Sequence, residues 1–508
     1  MNIAFIPIDN RPVCYTLPQQ ICAIDGEINL FMPERKLLGS LTKYADVEEI
    51  FNWLKSLEKL DVIVMCLDTV AYGGLISSRR CPDSFEEIKL RVEKLKSILE
   101  KKKAKIYAFS SIMRISNNNV NEEEKEYWNN WGKKIFEYSF NTCKYGTPQS
   151  TDVPQEILED YLFTRKRNFE INKLFLEYQK RGLFETLVFS KDDCAEFGFN
   201  VKEAKELENL GGFVKTGADE IPLTLLARAV VTQNTKVYLI PSPQRREDAI
   251  LSERKQTLGV QVRDTMTEFQ NMDFLPRNSL KIAPVFLAPE YKNLISNYED
   301  VSIEKSVMGQ IELAGCEICE PEDADILLYV NNFEDHQGEI VMKVPTKPFS
   351  GTWQKPEKPY IIADVRYANG ADNSFVEQVF KTGFDENFLG YSAWNTSANS
   401  LGSLICGAVV TKFAKQQERK SEKPETEHSP LVSRFLELQL VRFLDDWAYQ
   451  ANVRQQLSSP DEKLVKELMK PYEQKVFEAL KISHDKYNIT YKFPWNRLFE
   501  VEVCISQN

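Results

Sequence analysis

The sequence predicts a mixed α/β protein: a TIM-like (β/α) barrel, complete or incomplete, followed by a smaller α/β domain and C-terminal helices. Short apolar runs alternate with amphipathic, Lys- and Glu-rich segments through the first half of the chain. This alternation is typical of a parallel sheet covered by helices. The apolar runs are continuous, as expected of strands that are buried on both faces. At 508 residues the chain is too long for one ordinary core, so two or three domains are expected.

The first predicted domain, residues 1–274, contains seven strand candidates. Seven parallel strands over this length suit a TIM-like barrel or a wide doubly wound sheet. The stretch 112–184 is charged and mostly helical in pattern, so it is predicted to be an insertion after the fourth strand. The seven candidates are IAFIPID (3–9), INLFM (28–32), DVIVMCLD (61–68), KIYAFSS (105–111), ETLVFSKDD (185–193), GGFVKTGADE (211–220) and KVYLIPS (236–242).

Two further segments complete the predicted organisation. Residues 275–420 are predicted to form the smaller α/β domain, in which strands such as KIAPVFLA and ADILLYVNN alternate with helical segments. Residues 421–508 are predicted to hold a linker, a helical pair and a terminal strand. The linker is charged, contains proline and is poor in apolar residues, which is typical of an exposed segment.

Charge and hydropathy limit the partners. The chain has 64 Lys and Arg against 75 Asp and Glu, a formal net charge of −11. That balance argues against broad binding to nucleic acid or to an anionic membrane. No stretch is apolar enough to span a bilayer, and the first residues lack the pattern of a signal peptide. We therefore expect a cytoplasmic protein that acts on a small molecule or oligosaccharide, with the C-terminal helices available for a homodimer contact.

Histidine is scarce. The chain has three histidines, His336, His428 and His484, and each lies in a polar, loop-like sequence. A Ser-His-Asp or Cys-His enzyme, or a histidine-rich zinc site, would have to use one of them. The sequence therefore favours chemistry that depends on carboxylates.

Polar and charged residues collect where the predicted strands end. In parallel α/β folds, ligands bind beyond the carboxyl ends of the strands. Helix capping and turns explain single Asp, Asn or Gly residues at such ends. They do not explain arginines, a tyrosine, or two successive acids at two strand ends. The candidate site residues are Asp9, Arg11, Asp68, Tyr72, Arg114, Asp192, Asp193, Asp219 and Glu220 in the first domain, and Asp364, Arg366, Asn369, Trp394, Asn395 and Asn399 in the second.

The chain contains, from its first strand to its last residues, the strings IPIDNRPV, LDTVAYGGLISSR, FSSIMRI, DDCAEFGFN, TGADEIPLTLLAR, DVRYANGAD, WNTSANSLG and FPWNRLFEVE. This set resembles a bacterial family, domain of unknown function 4127. The resemblance implies no particular activity. The usual pattern of that family near its start is Asp-Asp-Arg-Pro, whereas this chain has Asn10, so residue 10 is not expected to be an essential acid.

A shorter likeness adds chemistry. The string Gly-Ala-Asp-Glu at 217–220 is similar to the acid pair of β-N-acetylhexosaminidases. The resemblance implies that Glu220 is a general acid and that Asp219 orients the acetamido group of the substrate. The pair Asp192 and Asp193 could take the same parts, with both residues acidic.

The first hypothesis is a glycoside hydrolase that needs no cofactor. Such enzymes require two acids across a sugar ring and no histidine. The predicted catalytic residues are Asp219, Glu220, Asp192 and Asp193, and the other candidates are predicted to bind substrate.

Two alternatives stay open. One is a hydrolase or lyase that uses Mg²⁺ or Mn²⁺ and acts on a phosphorylated or acidic sugar-like metabolite, because these ions favour oxygen ligands and arginines suit anionic substrates. Its metal ligands would come from Asp9, Asp68, Asp192, Asp193 and Asp219. The other alternative is a small-molecule binding protein without catalytic activity.

Overall fold

The protein is a mixed α/β chain with two parallel sheets, here described from a computed structural model. Eleven strands belong to these sheets, six in the first and five in the second. The described residues are 1–192, 195–234, 279–420 and 429–507, together with the backbone of two short strands, β7 (Val237–Leu239) and β8 (Phe274–Pro276).

The first sheet has six strands, all paired in parallel. They are β1 (Asn2–Ile6), β2 (Asn29–Phe31), β3 (Val62–Cys66), β4 (Lys105–Ile112), β5 (Thr186–Lys191) and β6 (Phe213–Thr216). Their order is β2-β1-β3-β4-β5-β6. The chain changes direction across the sheet between β1 and β3, and a crevice forms at such a point beyond the carboxyl ends.

Closure of this sheet into a TIM-like barrel stays a prediction. Among the described strands, β2 and β6 are the two edges of the first sheet. The seventh predicted strand overlaps β7, which pairs with β8 in an antiparallel ladder.

Helices cover both faces of the first sheet. They are α1 (Pro12–Cys22), α2 (Val47–Ser56), α3 (Leu67–Tyr72), α4 (Leu75–Arg80), α5 (Phe85–Leu99), α6 (Trp128–Tyr145), α7 (Gln155–Lys180), α8 (Phe199–Asn209) and α9 (Ile221–Asn234). Successive strand residues point to opposite faces. Ile3 and Phe5 therefore enter one core, and Ala4 and Ile6 enter another.

The second sheet has five parallel strands. They are β9 (Lys281–Phe286), β10 (Glu317–Ile318), β11 (Ile326–Asn331), β13 (Tyr360–Asp364) and β15 (Phe388–Ser392), in the order β10-β9-β11-β13-β15. Two short strands, β12 (Gly338–Glu339) and β14 (Tyr367–Ala368), pair beside it. Two helices, α10 (Ile303–Leu313) and α11 (Asn373–Thr382), connect these strands.

The two sheets share one hydrophobic core. Helix α12 (Ser397–Lys420) packs against α9 from the first half of the chain and against β13 and β15 of the second sheet. Leu226 of α9 and Leu401 and Ile405 of α12 are fully buried in this core. Burial of one such side chain contributes roughly 1.5–3 kcal/mol. The packing brings the strand ends of the first sheet close to loops of the second.

The C-terminal region differs from its prediction in one respect. Helix α13 (Pro430–Arg442), a π-helix over Phe443–Val453 and helix α14 (Glu462–Leu480) precede an antiparallel pair, β16 (Tyr487–Lys492) and β17 (Glu502–Gln507). The sequence predicted a single terminal strand. Pro494 cannot donate to a strand ladder, and the next residue, Trp495, has a φ of 57°. The chain therefore turns between the two strands.

Candidate functional site

A cavity of about 270 Å³ lies beyond the carboxyl ends of the first sheet. Residues that follow β1, β4, β5 and β6 form one side of its wall, and the other side comes from loops of the second sheet and the turn between β16 and β17. Eight of the candidate residues from the sequence line it: Asp9, Arg11, Arg114, Asp192, Asp219, Asn369, Asn395 and Asn399. The convergence of these residues makes this cavity the candidate functional site.

Arg11 is the centre of the charged cluster in the wall. Its side chain bridges two carboxylates: Nε donates to Asp9 Oδ2 at 2.8 Å, while Nη2 and Nη1 donate to Asp219 Oδ1 and Oδ2 at 2.5 and 3.1 Å. Nη1 also donates to Glu500 Oε1 at 3.1 Å. These four residues are nearly inaccessible to solvent. A buried arginine is stable in such a position because each carboxylate offsets part of its desolvation.

The local sequence explains this placement. Arg11 has an extended backbone just before α1, and Pro12 is well suited to the first helical position. Asp219 lies two residues before α9 begins, where a negative charge is favoured by the helix dipole. Burial raises the pKa of the Asp9 carboxyl, an effect that Arg11 opposes and the charge of Asp219 reinforces. Asp9 therefore has a greater tendency to hold a proton than an exposed aspartate.

A second charged cluster lies around Glu123, in the predicted insertion. Glu123 pairs with Arg497 at 2.7 Å, with Arg114 at 2.9 Å and with Arg79 at 3.8 Å. Burial alone would raise the pKa of Glu123, but these three guanidinium groups outweigh it and hold the pKa well below its usual range. Arg114 also pairs with Asp192, at 3.6 Å between Nη1 and Oδ2. The cluster thus connects the insertion to the strand ends.

Aromatic side chains that were not predicted as site residues also line the cavity. Trp495, Phe499 and Tyr298 all belong to its wall. The guanidinium groups of Arg11 and Arg497 lie over the Trp495 ring, at 5.1 and 4.6 Å from its centroid. In the sequence, the FPWNRLFE string indicates family membership but no site, because its place in the cavity depends on the turn between β16 and β17. The pattern of the terminal residues gave no sign of that turn.

Backbone strain is concentrated around the cavity. Seven described residues other than glycine have positive φ angles, and four of them line this cavity: Tyr298 (68°), Asn369 (60°), Asn395 (58°) and Trp495 (57°). Such conformations cost free energy and persist only where the surrounding structure fixes them. The backbone N–H of Asn369 donates to the backbone carbonyl of Asn395 at 2.8 Å, which connects two of the strained residues.

Glu220 lies behind the cavity and does not line it. Its side chain turns back so that Oε2 accepts from the Ala218 amide at 3.0 Å and Oε1 accepts from Gln310 Nε2 at 2.9 Å. Gly217 makes this possible: its φ is 127°, and a Cβ there would lie 1.7 Å from Glu220 Oε1. Burial, with smaller effects from Asp219 and Glu299, raises the pKa of Glu220 to about 8. Its role as general acid stays a prediction.

Two candidates near β3 are buried away from the cavity wall. Asp68 accepts from the Ser111 amide at 2.8 Å, and burial raises its pKa to about 7. The ring of Tyr72 lies against the guanidinium of Arg167, at 5.6 Å from the ring centroid. Both residues belong to α3, and their roles in substrate binding stay predictions.

The candidates of the second sheet divide in the same way. Asp364 accepts from Asn331 at 2.8 Å and from the Tyr391 hydroxyl at 3.0 Å, and burial raises its pKa to about 7. Arg366 donates to Asn331 Oδ1 at 3.1 Å, so both residues belong to one buried network. Trp394 lines a much smaller neighbouring cavity. Asp193, a predicted catalytic residue, lies outside the described residues.

One group of side chains has the spacing of a metal site. Asp9, Cys14 and Asp219 each offer a ligand atom, and these atoms lie within 4.8 Å of one another. However, the Arg11 guanidinium is bonded to both carboxylates and lies 3.9 Å from the Cys14 sulfur. Burial also raises the pKa of the Cys14 thiol well above its usual value. In this arrangement the group is a poor fit for Mg²⁺ or Mn²⁺, which would meet a positive charge.

The fold and the cavity define a mixed α/β protein with an arginine–carboxylate site between two parallel sheets. The chain belongs to the family described as protein of unknown function (DUF4127), whose model matches residues 3–504, nearly the whole chain. The family membership indicated by the sequence strings is thereby confirmed. No curated protein and no solved structure matches the chain. These comparisons lend no support to the weaker likeness to β-N-acetylhexosaminidases.

Among the described residues, no helix combines the length and the apolar character that a bilayer crossing requires.

Proposed function

We propose that the cavity is the active site of a glycoside hydrolase that works with carboxylates and without a cofactor. The observation that carries this proposal is the composition of the cavity wall: buried aspartates joined by an arginine, four asparagines, and aromatic rings. Sugars are recognised by this combination, because amides and carboxylates bind hydroxyl groups while rings contact the C–H faces.

The two aspartates bound to Arg11 are the proposed catalytic pair. One oxygen of Asp9 and one of Asp219 lie within 4.8 Å of each other. Retaining glycosidases hold their two carboxyl groups about 5–5.5 Å apart. Asp9, whose pKa is raised by burial, would protonate the leaving oxygen. Asp219 would attack the anomeric carbon, and water would later release the sugar with Asp9 acting as base.

The remaining wall residues are assigned to substrate binding. The amides of Asn369, Asn395 and Asn399 can donate to hydroxyl groups and accept from them. Asp192 and Tyr298 complete the set, as a charged group and an aromatic face. The proposal does not depend on whether the first sheet closes into a TIM-like barrel, because ligands bind beyond the strand ends in barrels and open sheets alike.

The proposal moves the general acid from its sequence-predicted position. The likeness to hexosaminidases pointed to Glu220 and to an N-acetylhexosamine substrate. Glu220 is hydrogen-bonded to Ala218 and Gln310 behind the wall. We retain hexosamine-containing glycosides as the first substrates to test and assign the proton transfer to Asp9.

The test is a hydrolysis screen with a panel of nitrophenyl glycosides, with and without EDTA. Wild type, Asp219→Asn and Glu220→Gln are compared under the same conditions. We expect release that survives EDTA, is lost in Asp219→Asn and is largely kept in Glu220→Gln. The opposite order of the two variants would restore Glu220 as the acid. Saturable sugar binding without any release would instead support a binding protein.

A metal-dependent hydrolase or lyase is the second candidate. The spacing of Asp9, Cys14 and Asp219 favours it, and Arg11 and Arg114 would suit a phosphorylated or acidic sugar. It requires Arg11 to leave the two aspartates when the ion binds. Loss of activity in EDTA, with recovery on adding Mg²⁺ or Mn²⁺, would support this candidate over the first.

A further inference from the structure

We propose that the ligand of the cavity carries a positive charge, as does a sugar with a free amine. This inference rests on the proposed function and narrows its substrate class to glycosides of a deacetylated amino sugar. It also argues against the phosphorylated and acidic sugars that the sequence left open.

The charge of the wall is the first observation. Among the described residues, four carboxylates line the cavity, from Asp9, Glu123, Asp192 and Asp219, against two guanidinium groups, from Arg11 and Arg114.

The described groups directly behind the wall do not remove this excess of carboxylates over guanidinium groups. Arg79 and Arg497 lie behind the wall and pair with its Glu123, at 3.8 and 2.7 Å. Each also has a carboxylate beside it in the same layer: Glu124 at 2.8 Å from Arg79, and Glu500 at 3.8 Å from Arg497. Two arginines thus face two carboxylates in this layer, so among the described groups carboxylates still outnumber arginines by two. One of the two excess groups can hold the proton that acid catalysis requires. The other gives the described wall a net negative charge, which a ligand with one ammonium group would neutralise.

A buried hydrogen-bond acceptor is the second observation. Asn399 lines the cavity and is 6% exposed, and within the described chain its Oδ1 atom accepts no hydrogen bond. A buried acceptor without a donor is unfavourable. An ammonium group has three donors and no acceptor, so it can donate to Asn399 Oδ1 and to carboxylates of the wall.

The test measures binding without turnover. Calorimetric titrations compare four ligands at a pH where the amine is protonated. They are methyl glucosaminide, which has a free amine, its N-acetyl form, methyl glucoside, and methyl glucoside 6-phosphate. We expect the amine to bind at least about tenfold more tightly than the N-acetyl and neutral sugars, because hydrogen bonds to charged groups are the stronger ones. The phosphate should bind most weakly.

Two variants test whether the lining carboxylates cause the tighter binding of the amine. Asp192→Asn removes a lining carboxylate that is not one of the proposed catalytic pair, and should reduce the preference for the amine by about tenfold. Asp83→Asn is the matched control: Asp83 is similarly exposed (29% against 26% for Asp192) and paired with an arginine, but it lies outside the cavity. It should leave the preference unchanged.

Several results would overturn the inference: no sugar bound, equal or tighter binding of the N-acetyl, neutral or phosphorylated sugar, or displacement of the amine by Mg²⁺ or Mn²⁺ alone. The screen of nitrophenyl glycosides separates this failure from failure of the proposed function. A preference for the amine without hydrolysis would support the charged ligand and reject the glycosidase. Hydrolysis of neutral glycosides without that preference would support the glycosidase and reject the charged ligand.

Discussion

Arg11 and Asp219 form a bidentate ion pair with two hydrogen bonds, although they are 208 positions apart in the chain. Nη2 and Nη1 of Arg11 contact Oδ1 and Oδ2 of Asp219 at 2.5 and 3.1 Å. The pair fixes the end of β1 to the start of α9, and it determines where the proposed catalytic carboxylate lies. Several consequences of this relationship can be measured.

Replacing Arg11 with lysine should destabilise the protein by about 2–3 kcal/mol, because one ammonium cannot serve Asp9, Asp219 and Glu500 together. Urea unfolding measures the loss. Arg91→Lys is the control, since Arg91 forms its 2.7 Å pair with Asp83 on a partly exposed surface, where ion pairs contribute little. Equal losses in the two variants would mean that the buried cluster is not stabilised by the arginine fork.

Glu220 should make stability fall with rising pH. Burial raises its pKa in the folded chain to about 8, from an ordinary value of 4.5, so the unfolded chain releases this proton first. The stability that the group provides is complete below pH 4.5 and is lost as the pH rises towards about 8. Glu220→Gln cannot ionise and should show a smaller decline over that range.

The measurement is the free energy of unfolding of wild type and Glu220→Gln at a series of pH values. The difference between them should shift in favour of the variant as the pH increases. Other buried acids with raised pKa values, such as Glu299 and Glu500, are present in both proteins and cancel in the comparison. A difference that is constant with pH would show that Glu220 is ionised in the folded chain at neutral pH.

Glycine substitutions at two of the strained residues should have similar effects on stability but different effects on turnover. Asn395→Gly and Lys481→Gly each place glycine at a positive φ, of 58° and 56°. Relief of strain should raise stability, by about 0.5–1 kcal/mol for the lysine. Only Asn395 lines the cavity, so only its replacement should reduce turnover, by about tenfold through the lost amide. Equal turnover in both variants would remove Asn395 from the binding residues.

Chelation should leave hydrolysis unchanged. In the proposed active site the Arg11 guanidinium occupies the carboxylates that a divalent ion would need. Rates are measured after dialysis against EDTA, and again after Mg²⁺ or Mn²⁺ is added back. A rate that falls on chelation and recovers with either ion would contradict the cofactor-free mechanism and favour the metal-dependent alternative.

The sequence predicted the mixed α/β class and eight of the eighteen residues that line the cavity, because both depend on local patterns. Asp9, Arg114, Asp192 and Asp219 follow apolar strands, and the carboxyl ends of parallel strands meet at one edge. Position along the chain could not show which way a side chain turns. Glu220 follows Asp219 directly, yet it turns behind the wall because Gly217 leaves space for it.

Residues brought in by long-range packing could not be predicted. Glu123 reaches the cavity from the segment before α6, and Trp495 from a turn near the end of the chain. Neither position has a local signature, since a glutamate in a charged stretch and a tryptophan after proline are common on surfaces. Their importance arises from contacts with Arg114, Arg497 and Arg11 that exist only in the folded chain.

The most direct test of the proposed active site is the turnover of Asp219→Asn on the glycoside that wild type hydrolyses best. We predict a folded protein whose rate is lower by about 10³-fold, a loss typical of a group that acts in the transition state. Asp83→Asn, which removes a paired aspartate outside the cavity, should keep the wild-type rate. A folded Asp219→Asn variant that retains most of the wild-type turnover would contradict the assignment of this cavity as a carboxylate active site.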